Sequence, residues 1–286
     1  MADSPLRLII MARDQSDRVQ DAWRELDAFL KQQSGVEVVA AAVTEDLELD
    51  DLEADLVITL GGDGAILRAC RQLGARQLPL IGINLGRLGF LTDLSPEQFR
   101  DVFPQIVARD YRVIEHLMFE CTFRSSDGTS ESFLGLNEVA VSSAGSLKML
   151  DVELAIDGKS VTTYSCDGLI VSTPVGSTAH SLSAGGPILR QDLHAFVITP
   201  ICPHTLSNRP LVDSADCMLT LSLPAPPDGT KLVIDGQMSR SITAGDVIEV
   251  RRAPVTFKLA RVAGYSFYAN LHRKLGWVGQ PQYRKR

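Results

Sequence analysis

The chain has 286 residues, of which 45% are hydrophobic and 22% charged, the composition of a soluble globular protein long enough for two domains. Its formal net charge of −7 argues against a general grip on nucleic acid or an anionic membrane surface. A nucleotide is not excluded, because backbone amides and a few Arg or Lys hold phosphates locally.

Met1 leads straight into a strand-like run, without the charged region and apolar core of a signal peptide. No apolar run approaches a bilayer span, so a cytoplasmic protein is expected. Residues 6–12 read as a buried strand. Residues 16–31 place Val19, Trp23, Leu26 and Leu30 on one helical face. Further strands are expected over 36–43, 56–60 and 78–83. Ser95-Pro96-Glu97-Gln98 carries an N-cap, a proline in the first turn and the Gln of a capping box. Such alternation predicts a parallel sheet covered by helices.

After about Tyr111 the texture changes to short β-rich runs: 118–123, 132–142, 150–156, 160–164 and 169–173, then 196–199, 218–223, 231–234, 247–251 and 255–259. Asp127-Gly128 and Asp157-Gly158 read as hairpin turns. This half is expected to be all-β, with two packed sheets. Residues 266–275 look helical again and end at Gly276-Trp277. The expected division is an α/β domain over 1–112, a β-rich domain over 113–265, and a tail over 266–286 that returns to the first domain. The five cysteines (Cys70, Cys121, Cys166, Cys202 and Cys217) are scattered, with no C-x-x-C pair, and suggest neither a disulfide framework nor a zinc ribbon. Cys202-Pro203-His204 reads as a loop rather than a metal site.

Three stretches bear on chemistry. In "DLVITLGGDGAILRA" a buried strand runs through Gly61-Gly62-Asp63-Gly64 into a helix, a place where proteins hold phosphates. The Walker pattern and G-x-G-x-x-G are both absent. The turn is therefore either a phosphate-facing loop with Asp63 beside the ligand or a plain strand-to-helix turn with Asp63 as its cap. In "LNEVAVS" the polar pair Asn137-Glu138 interrupts an apolar strand. It suits ribose or adenine hydrogen bonds, although a solvated strand end is the commoner arrangement. In "YSCDGLIVSTPVGSTAHSLSAGGPIL" the hydroxyls of Ser177, Thr178, Ser181 and Ser183 precede Gly185-Gly186. Interleaved with small residues, they favour the lining of a nucleotide pocket. G-x-S-x-G is absent, so a hydrolase nucleophile has no support. Arg87 follows a strand and suits either a phosphate or a surface ion pair.

Taken together, GGDG, "GINLGRLGFLTDL", "LNEV", "DGLIVSTPVGSTAHSLSAGGPIL", "PICPHTLSNRPLV", "DGQ" and "KLGW" resemble the NAD kinase family in order over about residues 55–277. The resemblance implies an α/β N-terminal domain, a β-sandwich-like C-terminal domain and a returning tail. It implies phosphoryl transfer from ATP or polyphosphate, with Mg²⁺ or another divalent cation, to the 2′-hydroxyl of the NAD adenosine ribose. Asp63 would orient or deprotonate that hydroxyl, which explains an acid among glycines where a Lys would not serve. The nucleotide-binding set implied is Gly61, Gly62, Gly64, Arg68, Phe90, Asn137, Glu138, Ser165, Asp167, Thr178, Ala179, His180, Ser183 and Asp235. No resident metal site, nucleic acid or membrane is implied, and relatives are commonly homodimers or homotetramers. Three residues depart from the family pattern: Ala65 and Val175 stand where Thr is usual, and His180 where Tyr is usual. The rival readings are a non-catalytic NAD-binding regulator and another GGDG kinase, such as a lipid kinase or a 6-phosphofructokinase. The latter families lack the 167–189 block.

Overall fold

The computed structural model describes residues 4–12, 16–42, 52–86, 89–92, 94–143, 149–205, 208–262 and 267–276. In chain order its elements are β1 (Leu6–Ala12), α1 (Asp17–Leu30), β2 (Val36–Ala42), β3 (Leu56–Leu60), α2 (Asp63–Leu73), β4 (Leu80–Ile83), α3 (Pro96–Val107), β5 (Arg112–Arg124), β6 (Ser130–Gly135) and β7 (Glu138–Ser143). They continue as β8 (Leu150–Ile156), β9 (Lys159–Cys166), β10 (Gly168–Ser172), α4 (His180–Ser183), β11 (Ala195–Ile201), β12 (Leu211–Ser214), β13 (Leu219–Ser222), β14 (Thr230–Ile234), β15 (Met238–Ser241), β16 (Val247–Arg261) and α5 (Phe267–Leu275). The chain forms two compact units: one spans 1–69, 78–114 and 259–286, the other 70–77 and 115–258.

The first unit is α/β. Its strands pair in parallel in the order β2-β1-β3-β4, and Leu259 of β16 pairs in parallel with Leu80 of β4. Every residue of β3 and β4 is buried, as apolar runs without alternation require in a sheet covered on both faces. Helices α1 and α3 pack together, with the Phe29 and Phe103 rings 5.1 Å apart edge to face. Phe99, Phe103 and Ile106 of α3 reach the core beside Leu8, Ile58 and Ile81. Each such side chain contributes about 1.5–3 kcal/mol through burial. Helix α3 starts with the expected capping box: the Ser95 hydroxyl accepts from the Gln98 amide, and the Gln98 side chain accepts from the Ser95 amide. The C-terminal α5 also belongs to this unit. Residues 277–286 of the tail lie outside the described residues.

The second unit is an antiparallel two-sheet structure. One sheet runs β6-β5-β16-β13-β8-β9 and the other β12-β11-β10-β7-β14-β15. A single core draws Phe119, Leu154, Leu219 and Val250 from the first and Val141, Val171, Phe196 and Leu232 from the second, which makes the pair a sandwich. The hairpin turns fall where expected, with β5 paired to β6 and β8 to β9. Two expectations are corrected. Residues 132–142 are not one strand: β6 ends at Gly135 in one sheet and β7 begins at Glu138 in the other. Residues 247–251 and 255–259 are not two strands but the single β16, which continues through Pro254. Pairing of β16 with β13 ends at Val250, so the missing proline N–H leaves no bond to β13 unmade. The short strands β12 and β15 went unread because their residues are mostly polar or exposed.

Candidate functional site

In the first unit Asp63 opens α2 immediately after the glycine turn that ends β3. Gly61 has φ +136° and donates its N–H to the Ile83 carbonyl at 3.0 Å, tying the turn to the end of β4. Gly62 is exposed, and Gly64 and Arg68 are partly exposed on the first turns of α2. The Asp63 carboxylate is gripped from 27 to 29 residues away. Its Oδ2 accepts the Phe90 N–H at 2.7 Å; its Oδ1 accepts the Leu91 and Thr92 N–H groups at 3.0 and 3.1 Å and the Thr92 hydroxyl at 3.2 Å. Three successive amides facing one carboxylate fix its orientation. A Cβ on Gly89 would lie 1.9 Å from Asp63 Oδ1, so this grip requires glycine at position 89.

The turn that grips Asp63 is itself held from α5 and the end of β16. Asn270 Nδ2 donates to the Gly89 carbonyl and an Arg261 guanidinium nitrogen to the Phe90 carbonyl, both at 3.3 Å. Lys274 Nζ lies 4.1 Å from the centroid of the Phe90 ring, in cation–π range. Burial lowers the Lys274 amine from its ordinary value, against the upward pull of the Asp63 charge. Phe90 thus works here through its backbone amide and as a platform for Lys274. Thr92, Asn270 and Lys274 escaped the sequence reading, although "GFLTDL" and "KLGW" contain or adjoin them. Arg87 lies outside the described residues.

In the second unit Asn137, Glu138 and Asp235 come together. Asp235 has φ +49° in the turn between β14 and β15. Its Oδ2 accepts the Leu136 N–H at 2.8 Å, and its Oδ1 accepts those of Asn137 and Glu138 at 2.8 and 2.9 Å. Its own N–H donates to the Glu138 carbonyl at 2.9 Å. The family resemblance implies a place for Asp235 near the substrate, but these oxygens are taken up by the backbone that presents Asn137 and Glu138. Arg71 donates to Gln237 at 2.8 Å, and its charge acts on Asp235. Burial pushes the Asp235 carboxyl up to about 6 against the pull of its three amide donors and Arg71.

Glu138 is buried on β7, so the solvated strand end is ruled out for it. Burial, and secondarily the Asp235 charge, push its carboxyl up to about 8. It therefore holds its proton at neutral pH. Its Oε2 is buried with no hydrogen-bond partner among the described residues, a vacancy that a ligand hydroxyl or ring nitrogen suits.

The loop after β10 crosses this pair. The Thr173 N–H donates to the Asn137 carbonyl at 2.9 Å, and its hydroxyl donates to the Leu136 carbonyl at 2.5 Å while accepting the Gly176 N–H at 3.2 Å. A Cβ on Gly176 would lie 2.0 Å from the Asn137 carbonyl oxygen, so only glycine allows this approach. Two hydroxyls expected to line a pocket are instead internal to the loop. Ser177 donates to the Pro174 carbonyl at 2.6 Å and accepts the Leu189 N–H at 3.0 Å, and Ser181 shares a 2.8 Å bond with Thr199. Both are fully buried, because a loop passing through the interior must satisfy its own backbone. Thr178 is buried and donates to the Val175 carbonyl at 3.0 Å; Ala179 is half-buried, and His180 and Ser183 are exposed on α4. Ser165 donates to Asp151 and accepts the His204 N–H at 2.9 Å, while the Asp167 carboxylate lies 3.3 Å from His204 Nε2. All five cysteines are free thiols, and Cys202 alone is exposed.

The chain matches the family model for the ATP-NAD kinase N-terminal domain over residues 39–111 and that for the ATP-NAD kinase C-terminal domain over 136–262. It is 46% identical over 276 residues to an NAD kinase of Rhodopirellula baltica, covering 96% of this chain and 88% of the relative. It is 37% identical over 279 residues to an NAD kinase of Geobacter metallireducens, covering 95% and 98%. A solved NAD kinase from Archaeoglobus fulgidus in complex with ATP superposes with a TM-score of 0.74 at 29% identity, covering 96% of this chain and all of that one. Yeast NADH kinase complexed with NADH superposes with a TM-score of 0.89 over 99% and 91% of the two chains; at 23% identity that likeness concerns the fold.

Proposed function

The chain belongs to the NAD kinase family, and we infer that it carries out that family's reaction, moving a phosphoryl group from ATP to the 2′-hydroxyl of the adenosine ribose of NAD to give NADP. The observation that carries this reading is the Asp63 carboxylate, presented by a glycine turn at the end of a parallel strand and oriented by three amides and a hydroxyl. Oδ1 accepts three of those bonds and Oδ2 one, which leaves Oδ2 an open lone pair for the substrate hydroxyl. Aligned there, the hydroxyl attacks the terminal phosphorus, the bond to the donor's bridging oxygen breaks, and the proton passes to Asp63. Phosphoryl transfer needs mainly positioning and charge neutralisation, so a fixed acceptor at the nucleophile is the main protein contribution on this side.

In the same reading Asn137 and protonated Glu138 bind the ribose or adenine of NAD, with Asp235, Thr173 and Gly176 holding them in place. Thr178, Ala179, His180 and Ser183 contact the adenine side, and Ser165 and Asp167 lie toward the nicotinamide end. The donor enters as its magnesium complex, an ion that needs few protein carboxylates when phosphates supply oxygens. Inorganic polyphosphate is the second donor of this proposal. A cytoplasmic location and a homodimer or homotetramer complete it, supported by the family resemblance. Incubation of the protein with NAD, ATP and Mg²⁺, read through an NADP-specific dehydrogenase, should show NADP. No NADP above the Asp63→Ala background would overturn the reading.

A further inference from the structure

The first unit contains a cavity of about 500 Å³ lined by none of the nucleotide-binding residues named so far. Its floor is apolar: Leu26 of α1, Leu60 at the end of β3, Ile83 at the end of β4 and Phe99 of α3. It opens at the carboxyl ends of parallel strands. Leu60 and Ile83 are register partners at the ends of the neighbouring parallel strands β3 and β4. Open α/β sheets bind ligands in crevices outside the carboxyl ends of their strands. Leu60 in the cavity wall is followed directly by Gly61 and the turn that presents Asp63.

The rim determines which ligand would fit. Arg100 at the rim is already paired with Glu25 at 2.9 Å. Glu97 accepts the Ser95 hydroxyl at 2.7 Å, a bond that holds its carboxyl below the usual range and keeps it ionised. With Asp21 and Arg18, the rim carries three carboxylates and two guanidinium groups. That surplus of acceptors repels phosphate and suits an exocyclic amine and ribose hydroxyls over an apolar floor. The volume is that of a small-ligand site.

We propose that this cavity takes the nucleoside half of the phosphoryl donor, with the donor's phosphates running out to the glycine turn at residues 61–64. The proposal rests on the kinase reading, and it is tested by binding so that the two fail separately. Ala22 of α1 lines the cavity and is half-buried, so a larger side chain there fills space without displacing the core. Calorimetry with MgATP and, separately, with magnesium tripolyphosphate should show Ala22→Trp weakening ATP at least about tenfold while tripolyphosphate changes less than about twofold. Ala22→Leu should fall between, and it carries the test if the Trp variant does not fold. NAD affinity, unchanged in both, reports an intact protein. ATP affinity unchanged in the variants, or weakened together with tripolyphosphate, overturns the proposal, as does a wild type that does not bind ATP. A wild type that binds ATP as described but makes no NADP would overturn the kinase reading alone.

Discussion

Replacing Glu138 with Gln should flatten the pH dependence of stability between about pH 5 and 8. The Glu138 carboxyl is raised from 4.5 to about 8, first by burial and then by the charge of Asp235. Below the unfolded value near 4.5 both states hold the proton and the contribution is fully present. Between 4.5 and 8 the unfolded chain has released its proton while the folded chain keeps it, so stability falls as pH rises. Above about 8 the contribution is gone. A tenfold difference in proton affinity between the folded and unfolded chains is worth about 1.4 kcal/mol, so a rise of this size sets a ceiling of about 5 kcal/mol. Asp235 and Glu138 titrate as a coupled pair, and sharing between them leaves about 2–4 kcal/mol for the Glu138→Gln comparison. Gln has nearly the same shape and keeps a donor but does not ionise. The assay is urea unfolding at pH 5 to 8.5 followed by circular dichroism, with NAD affinity measured at the same points. Wild-type midpoints should fall across this window and those of the variant much less, and NAD affinity should weaken above about pH 8 only in wild type. Parallel midpoint curves for the two proteins would refute the argument that Glu138 is buried as a neutral acid.

Asp63→Asn should lower kcat by about 10²–10⁴, because an amide cannot take the hydroxyl proton. The variant should also unfold about 1–3 kcal/mol more easily, since one terminal atom becomes a donor facing donors; a loss in kcat below about threefold at saturating substrates would remove Asp63 from the mechanism. Gly176→Ala forces a methyl group to within 2.0 Å of the Asn137 carbonyl oxygen, so the thermal midpoint and NAD affinity should both drop, by about 1–3 kcal/mol in stability. An unchanged melting curve would show that this crossing is not tight. Asn270→Ala removes the bond to the Gly89 carbonyl that props the Asp63 grip. It should lower kcat about 2- to 10-fold with the KM for NAD unchanged; a change confined to KM would place Asn270 outside the positioning of Asp63.

Local patterns in the sequence determined much of this protein. The unbroken apolar runs of β3 and β4 specify buried parallel strands, and Ser95 to Gln98 specify the start of α3, since both depend on neighbours within a few residues. The order of motifs from GGDG to KLGW pointed to the family, and GGDG marked Asp63 itself. The sequence did not reveal what holds Asp63, because the amides that grip it belong to residues 90–92 and their own supports to residues 261–274. Asp235 and the pair Asn137-Glu138 read as separate motifs, although they are joined by hydrogen bonds across 97 and 98 residues of chain. The break at Leu136-Asn137 looked like the middle of one strand, since an apolar run does not show which sheet each half will join. The hydroxyls of Ser177 and Ser181 looked like ligand contacts because only burial turns them inward to satisfy their own loop. A side chain's type is encoded locally, but its partners and its solvation are set by segments distant in sequence, and those decide whether a carboxyl such as Glu138 is an anion on a strand end or a neutral donor beneath it.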